Sequence, residues 1–254
     1  MKTIPFIKMH GLGNDYVYID ATRKETADII ANIKPSVLAR RMSDRHFGVG
    51  ADGLVLILPS TCADLRMRMF NADGSEAEMC GNASRCIAKY AYEQGLCGRN
   101  MTLETLAGVK RLTLQTNTQN KVEQVTVEMG TSTGNPHEVF IVDTTEQFDS
   151  KFKELQIGSQ WEELRRKANI ECVYVLNRHE IKVRVCERGT GETMACGTGA
   201  CASAAATMDK GLTENHVIVH LHGGDLDVQR NEQGILYLTG TATEVFRGTY
   251  NWEE

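Results

Sequence analysis

Two cysteines stand in the same local text. Cys80 and Cys196 each end a Gly-containing loop, each is followed by glycine, and each precedes a helix-friendly stretch. A matched pair of thiols can invert a stereocentre next to a carboxylate. One, as thiolate, takes the proton from one face, and the other, as thiol, delivers a proton to the opposite face. For the reverse direction the roles exchange. Cysteine suits this work because its free pKa is about 8.5 and a helix N-terminus can lower it. The unpaired first-turn N–H groups carry partial positive charge and commonly hold anions, so they can also cradle a substrate carboxylate. Charge developing at the α-carbon would be stabilised there, as in an oxyanion hole. One Cys-Gly at a helix start reads as a buried thiol beside a turn. Two at matched positions of a repeated frame read as a pair with a function.

The frame is an internal duplication. At an offset of 116, Leu65-Arg66-Met67-Arg68-Met69-Phe70-Asn71 lies over Ile181-Lys182-Val183-Arg184-Val185-Cys186-Glu187. Both alternate with period two, the pattern of a half-buried strand. Glu76 and Glu192 fall at the same offset in the loops that follow, and Cys80 and Cys196 close them. Beyond the cysteines, Ile87 to Tyr92 and Cys201 to Met208 predict helices capped at Gly95 and Gly211. Strand-like Met101–Glu104 and Val217–His220 come next, then turns at Gly108 and Gly224 and further alternating runs. Upstream, Gly53–Leu58 matches Cys172–Leu176 at an offset of 119. A capping box at Ser159–Glu162 predicts a helix over Glu163–Ala168, and another is expected from Ser36 through Arg40 and Arg41 towards His46. Strands and short helices interleave in both halves. The expected fold is α/β (α+β): two similar lobes related by a pseudo-two-fold axis, residues 1–118 with Cys80 and 119–254 with Cys196. The boundary lies near the turn-rich Thr116–Asn120, and the last strand is free to return to the first lobe. The pseudo-symmetry would set Cys80 and Cys196 on either side of one ligand, near enough to oxidise to a disulfide.

Composition narrows the classes. The chain has 254 residues, 41% hydrophobic and 24% charged, enough for one large domain or two small ones with a sizeable core. A net charge of −5 with scattered basic residues offers no footprint for nucleic acid. The longest aliphatic run, Leu54–Leu58, is far short of the ~20 residues that span a bilayer. With no signal-like N-terminal segment, a cytoplasmic protein with reduced thiols is expected. Of the eight cysteines, most of Cys62, Cys86, Cys97, Cys172, Cys186 and Cys201 read as small buried hydrophobes. No Cys-x-x-Cys spacing is present, so neither a structural zinc nor any other metal is expected. Arg165-Arg166 and His220-Leu221-His222 read as solvated surface.

Across almost its whole length the chain resembles diaminopimelate epimerases. The motifs that carry the resemblance are Lys8–Asp15, Gly48–Gly53, Phe70–Ser75 with Cys80-Gly81-Asn82, Gly134-Asn135-Pro136-His137, Ala168-Asn169-Ile170, Glu187-Arg188-Gly189, Gly191-Glu192-Thr193 and Ala195–Gly199. The resemblance implies two lobes, each a curved mixed β-sheet wrapped around a central helix, and catalysis without pyridoxal phosphate, other cofactor or metal. It implies that Cys80 and Cys196 are the proton-transfer pair and that Gly81, Asn82, Gly197 and Thr198 cradle the α-carboxylate. Asn14, Asn71, Asn135, Asn169, Glu187 and Arg188 match residues that hold the distal amino and carboxylate groups, and His137 and Glu187 match positions that tune the thiols. The expected reaction interconverts L,L- and meso-diaminopimelate in lysine and cell-wall precursor synthesis. The expected partner is this small amino acid alone, and a homodimer is implied. The chemistry is sensible by itself: Arg188 can fork onto a carboxylate and Glu187 can pair an ammonium.

Three departures stand out. Gly53 replaces a glutamine common in the family, removing one substrate-side contact or passing it to another residue. Ala83 replaces the glycine usual after Cys-Gly-Asn. Val127–Gly130 is followed almost at once by Gly134–His137, where many members insert some tens of residues. The shortened connection keeps open a racemase of another amino acid on the same frame. A non-catalytic amino-acid-binding protein is a further reading, which the retention of both cysteines opposes.

Overall fold

The computed structural model describes residues 2–131 and 136–253. The chain forms two compact units, one of Met1–Val127 with Thr241–Glu254 and one of Glu128–Gly240. The first contains β1 (Lys2–Gly11), β2 (Asn14–Asp20), α1 (Lys24–Ile30), α2 (Pro35–Ser43), β3 (Gly53–Leu58), β4 (Leu65–Asn71), β5 (Glu76–Ala77), α3 (Gly81–Glu93), β6 (Asn100–Thr105), β7 (Gly108–Thr116) and most of β8 (Val122–Gly130). The second contains β9 (His137–Val142), α4 (Thr145–Ile157), a single 3-10 turn (Ser159–Trp161), α5 (Glu162–Lys167), β10 (Asn169–Asn177), β11 (Glu180–Glu187), β12 (Gly191–Glu192), α6 (Gly197–Asp209), β13 (His216–Leu221), β14 (Gly224–Arg230) and β15 (Leu236–Gly240). The last strand, β16 (Thr243–Trp252), returns to the first unit and lies antiparallel to β1 along its whole length.

The two units repeat one topology. In the first, β2 and β3 are parallel, β3 and β4 antiparallel, β4 and β6 parallel, and β6, β7 and β8 antiparallel. In the second, β9 and β10 are parallel, β10 and β11 antiparallel, β11 and β13 parallel, and β13, β14 and β15 antiparallel. The parallel steps need crossovers, and α3 and α6 supply the second of them in each unit. Thr116–Asn120 opens the hairpin that joins β7 to β8, so the first unit runs past it to Val127.

Each unit packs its strands against one largely buried helix. The α6 helix, Gly197–Asp209, packs against all six strands β9, β10, β11, β13, β14 and β15. Its sequence, Gly-Thr-Gly-Ala-Cys-Ala-Ser-Ala-Ala-Ala-Thr-Met-Asp, carries small side chains on every face, which suits a helix enclosed by a sheet. The α3 helix packs on β1 and β7 and is buried from Gly81 to Ala88 and again at Tyr90 and Ala91. Both helices end in the same way. Gly95 and Gly211 adopt φ of +72° and +67°, and the next N–H bonds back into the helix, from Leu96 to Ala91 O at 2.8 Å and from Leu212 to Thr207 O at 3.0 Å. That left-handed cap favours glycine at both positions.

Some local expectations are corrected. No Ser159 side chain caps α5, which starts at Glu162 after the 3-10 turn. A side-chain cap lies instead at α4, where Thr144 Oγ1 accepts from Gln147 N at 3.3 Å and Gln147 Oε1 accepts from Asp143 N, one residue before the cap, at 3.1 Å. The helix expected from Ser36 towards His46 begins with Pro35 in its first turn and stops at Ser43; Asp44 then accepts from the N–H groups of His46 and Phe47 and turns the chain. Arg165 is no solvated partner of Arg166, because it donates to the terminal carbonyls Leu155 O (2.7 Å) and Gly158 O (3.0 Å) behind α4. His220 pairs with Asp225 at 2.8 Å, and His216 with Asp227 at 2.6 Å. No helix among the described residues is long and apolar enough to cross a membrane.

Candidate active site

Cys80 and Cys196 occupy the same station in their respective units. Each is the N-cap of the buried helix, with extended backbone angles of −140°/122° and −120°/113°. Each carbonyl accepts the first helical bond, from Ser84 N and from Ala200 N, both at 2.9 Å. Each is preceded by a two-residue strand folded back on the strand before it. Phe70 faces Glu76 in the first unit and Cys186 faces Glu192 in the second, at the 116-residue offset of the sequence repeat.

The two thiols differ in what surrounds them. In the first unit Cys80 Sγ donates to Asn14 Oδ1 at 3.6 Å, and Asn82 Nδ2 donates to the same oxygen at 3.1 Å. Asn14 Nδ2 donates to Asp52 Oδ2 at 2.8 Å, which fixes the amide with its oxygen towards the cysteine. Asn82 Oδ1 in turn accepts from the buried Arg85 at 2.8 Å. Behind Asp52, Arg45 bridges Asp52 and Asp15, and Lys8 pairs with Asp15. Burial, and next the charge of Asp15, push the Asp52 carboxyl above its ordinary value. Asn71 is exposed, and its amide donates to Ser75 Oγ at 3.0 Å within the turn.

In the second unit Cys196 Sγ accepts from Gly199 N at 3.4 Å and lies 3.4 Å from Thr198 Oγ1. These are the N–H and hydroxyl contacts expected at a helix N-terminus. They do not bring the thiol down. Burial pushes it well up, the charges of Glu187 and Glu171 push the same way, and the two hydrogen bonds only oppose them. Enclosure and the two nearby carboxylates thus favour the thiol form of Cys196 over the thiolate. Glu187 accepts from Thr193 Oγ1 at 2.6 Å, and Asn169 Oδ1 accepts from Arg188 N at 2.9 Å, so Asn169 fixes the backbone of a residue whose side chain is exposed.

His137 lies against a residue the sequence reading does not single out. Its Nδ1 is 2.7 Å from Glu171 Oε1, with the side chains 4% and 0% exposed. His137 Nε2 and Glu171 Oε2 have no hydrogen-bond partner among the described residues. Burial pushes the Glu171 carboxyl up and the hydrogen bond with His137 opposes it. Glu171 also reaches the first turn of α6. A Cβ on Gly199 would stand 2.8 Å from Glu171 Oε1 and 3.3 Å from Cys196 Cβ. A glutamate inside the buried strand Asn169-Ile170-Glu171-Cys172-Val173 was the available signal, since an ionisable side chain is rarely enclosed without a partner.

Gly53 leaves no room for the glutamine it replaces: a Cβ there would meet Phe70 O at 2.2 Å and the Tyr16 ring at 2.9 Å. Asn135, with Gly134, lies outside the described residues. Of the remaining cysteines, Cys62 is exposed, Cys97 partly buried, and Cys86, Cys172, Cys186 and Cys201 buried.

This architecture is shared with proteins of known structure. A protein from Pseudomonas aeruginosa, whose solved structure is titled that of a predicted epimerase, superposes with a TM-score of 0.74 at 15% identity, covering 98% of this chain and 100% of that one. Sequence goes further. The model of the family described as diaminopimelate epimerase matches residues 6–133 and again 130–245, one match for each half of the duplication. The chain is 42% identical to a diaminopimelate epimerase of Methanococcus maripaludis, over 96% of this chain and 98% of the relative. It is also 42% identical to one of Acetivibrio thermocellus, over 98% and 99%. The chain belongs to the diaminopimelate epimerase family.

Proposed function

We propose that this protein interconverts L,L- and meso-diaminopimelate by transferring protons at one α-carbon between Cys80 and Cys196, without cofactor or metal. The observation that carries the reading is the repeated station of the two thiols. Each unit ends an equivalent loop in a cysteine, caps its enclosed helix with it, and follows it with glycine. The Gly81–Asn82 and Gly197–Thr198 N–H groups hold the α-carboxylate as helix N-termini hold anions. Arg188 and Glu187 bind the distal carboxylate and ammonium, with Asn14, Asn71, Asn135 and Asn169 orienting them. The buried neutral Cys196 serves as acid in one direction, and Glu187 and His137 tune it. The setting is the supply of lysine and cell-wall precursor in the cytoplasm, and the working form is a homodimer.

The decisive experiment separates exchange from inversion. Cys80→Ala and Cys196→Ala are assayed one at a time for α-proton exchange with D2O and for net change of configuration. Each single variant should abolish inversion. Normal inversion by either variant overturns the two-thiol reading.

A racemase of another amino acid has one observation in its favour. The alignments to the two relatives above run over 282 and 288 positions for a chain of 254, so those relatives carry residues that this chain lacks. A panel of amino acids in the same exchange assay decides, and faster exchange of an unrelated amino acid than of diaminopimelate displaces the substrate assignment.

A further inference from the structure

We propose that Arg68–Glu76 and Arg184–Glu192 are a duplicated pair of clamps, each positioning the cysteine-bearing loop of its own unit. Neither pair belongs to the binding or proton-transfer machinery described above. In the first unit Arg68 Nε donates to Glu76 Oε1 at 2.7 Å and Nη2 donates to Oε2 at 3.0 Å. In the second, Arg184 Nε donates to Glu192 Oε1 at 2.9 Å and Nη2 to Oε2 at 3.0 Å. The same two nitrogens meet the same two oxygens, at the offset that relates Cys80 to Cys196.

The forks sit where the loop needs holding. Glu76 belongs to the two-residue β5 and Glu192 to the two-residue β12, ladders too short to fix a loop by backbone bonds alone. Arg68 and Arg184 stand two residues before the partners of those glutamates, Phe70 and Cys186, so each fork is a diagonal cross-strand contact on one face. Four residues later in each unit the chain reaches the helix-capping cysteine.

An ordinary surface ion pair is worth little because two long side chains must be ordered in water. These differ in two ways. Both are bidentate, which adds direction as well as strength. Both guanidinium groups also lie over an aromatic ring, Arg68 over Phe70 at 5.1 Å and Arg184 over Phe152 at 4.0 Å. The ring comes from two residues further along the same strand in the first unit and from α4 in the second, where Cys186 stands in place of Phe70. The ring has changed its source while the fork has stayed. Arg184 adds a third contact, to Asp149 at 3.1 Å. Arg68 holds the Glu76 carboxyl below its ordinary value, consistent with a fork formed by the charged partners.

The kinetic consequence rests on the two-thiol reading; the structural consequence does not. The full chain is compared with Arg68→Gln, Arg184→Gln and the charge-exchanged double variant Arg68→Glu/Glu76→Arg. Amide hydrogen exchange is followed by mass spectrometry over 72–80 and 188–196, together with kcat and KM for inversion. Arg68→Gln should speed exchange in 72–80 about ten-fold, the effect of losing one charge-assisted contact, and leave 188–196 unchanged. Arg184→Gln should do the converse. Each should lower kcat about ten-fold or more with a smaller change in KM, and the exchanged pair should regain part of the loss. If Arg68→Gln fails to fold, Glu76→Gln, which keeps the shape of the side chain, takes its place. Unchanged exchange in the variant's own loop overturns the clamp, as does equal loosening of both loops. Loop-specific loosening in an enzyme that ignores diaminopimelate keeps the clamp and removes the substrate assignment instead.

Discussion

Gly199→Ala tests how tightly the second unit is built around Cys196. The added Cβ would lie 2.8 Å from Glu171 Oε1, 3.3 Å from Cys196 Cβ and 3.3 Å from Val185 Cγ2, where ordinary contact begins at 3.4 Å. Something must move by about half an ångström, and the carboxylate is poorly placed to yield: it is fully enclosed and held by His137 at 2.7 Å. Two terms oppose each other. Alanine in place of glycine favours a helix by about 1 kcal/mol, while overpacking a filled interior costs about 1–3 kcal/mol. The clash wins, leaving a net loss of about 1 kcal/mol and a melting temperature lower by a few degrees. The same displacement stretches the Gly199 N–H contact to Cys196 Sγ, now 3.4 Å. Since an ångström of misplacement can cost a hundred-fold, half of that should lower kcat about ten-fold. The assays are thermal unfolding and inversion kinetics, repeated in Glu171→Ala and in the double variant. Removing the carboxylate removes the obstruction, so the double variant should be more stable than the sum of the single changes. A Gly199→Ala protein with higher melting temperature and unaltered kcat would refute the packing described for this turn.

Two further expectations concern titration. Glu187→Gln removes a negative charge that helps hold the Cys196 thiol up, so that thiol should titrate at lower pH than in the parent; an unmoved ultraviolet thiolate titration in a Cys80→Ala background would contradict the assignment. Glu76 is held below its ordinary value of 4.5 by Arg68. A depressed carboxylate stabilises fully above the unfolded value and loses that contribution as pH falls through the folded one. Arg68→Gln should therefore flatten the acid limb of the stability curve below about pH 4.5, and an equally steep limb would show that the fork adds nothing in solution.

Much of the fold was legible because the chain repeats itself. The period-two runs at Leu65–Asn71 and Ile181–Glu187 became β4 and β11, and the Gly-free stretches closed by Gly95 and Gly211 became α3 and α6. Local signals were weaker guides where two competed. Thr144–Gln147 and Ser159–Glu162 both have the composition of a capping box, and only the first has a strand end and an apolar Phe148–Phe152–Leu155 face to start a helix against. The cysteines could be singled out by their repetition. Glu171 could not be paired with His137 in the sequence, because 34 residues separate them and the parallel ladder of β9 on β10 brings the two strands together. Nor could the helix-end argument foresee the direction in which Cys196 is pushed. A helix N-terminus lowers a thiol that water can reach, but enclosure beside two carboxylates outweighs it.

The last strand has a consequence for biosynthesis. β1 is flanked by β2 and β16, and β16 follows the whole of the second unit in the chain, so β1 waits for a strand made more than 200 residues later. While the ribosome is still adding the second unit, β1 has an open edge and itself carries Ile4, Phe6 and Ile7, all buried in the finished fold. The second unit has no such debt, since Glu128–Gly240 is one uninterrupted segment and can collapse as it emerges. Nascent chains stalled before Thr243 should therefore be the species that chaperones hold.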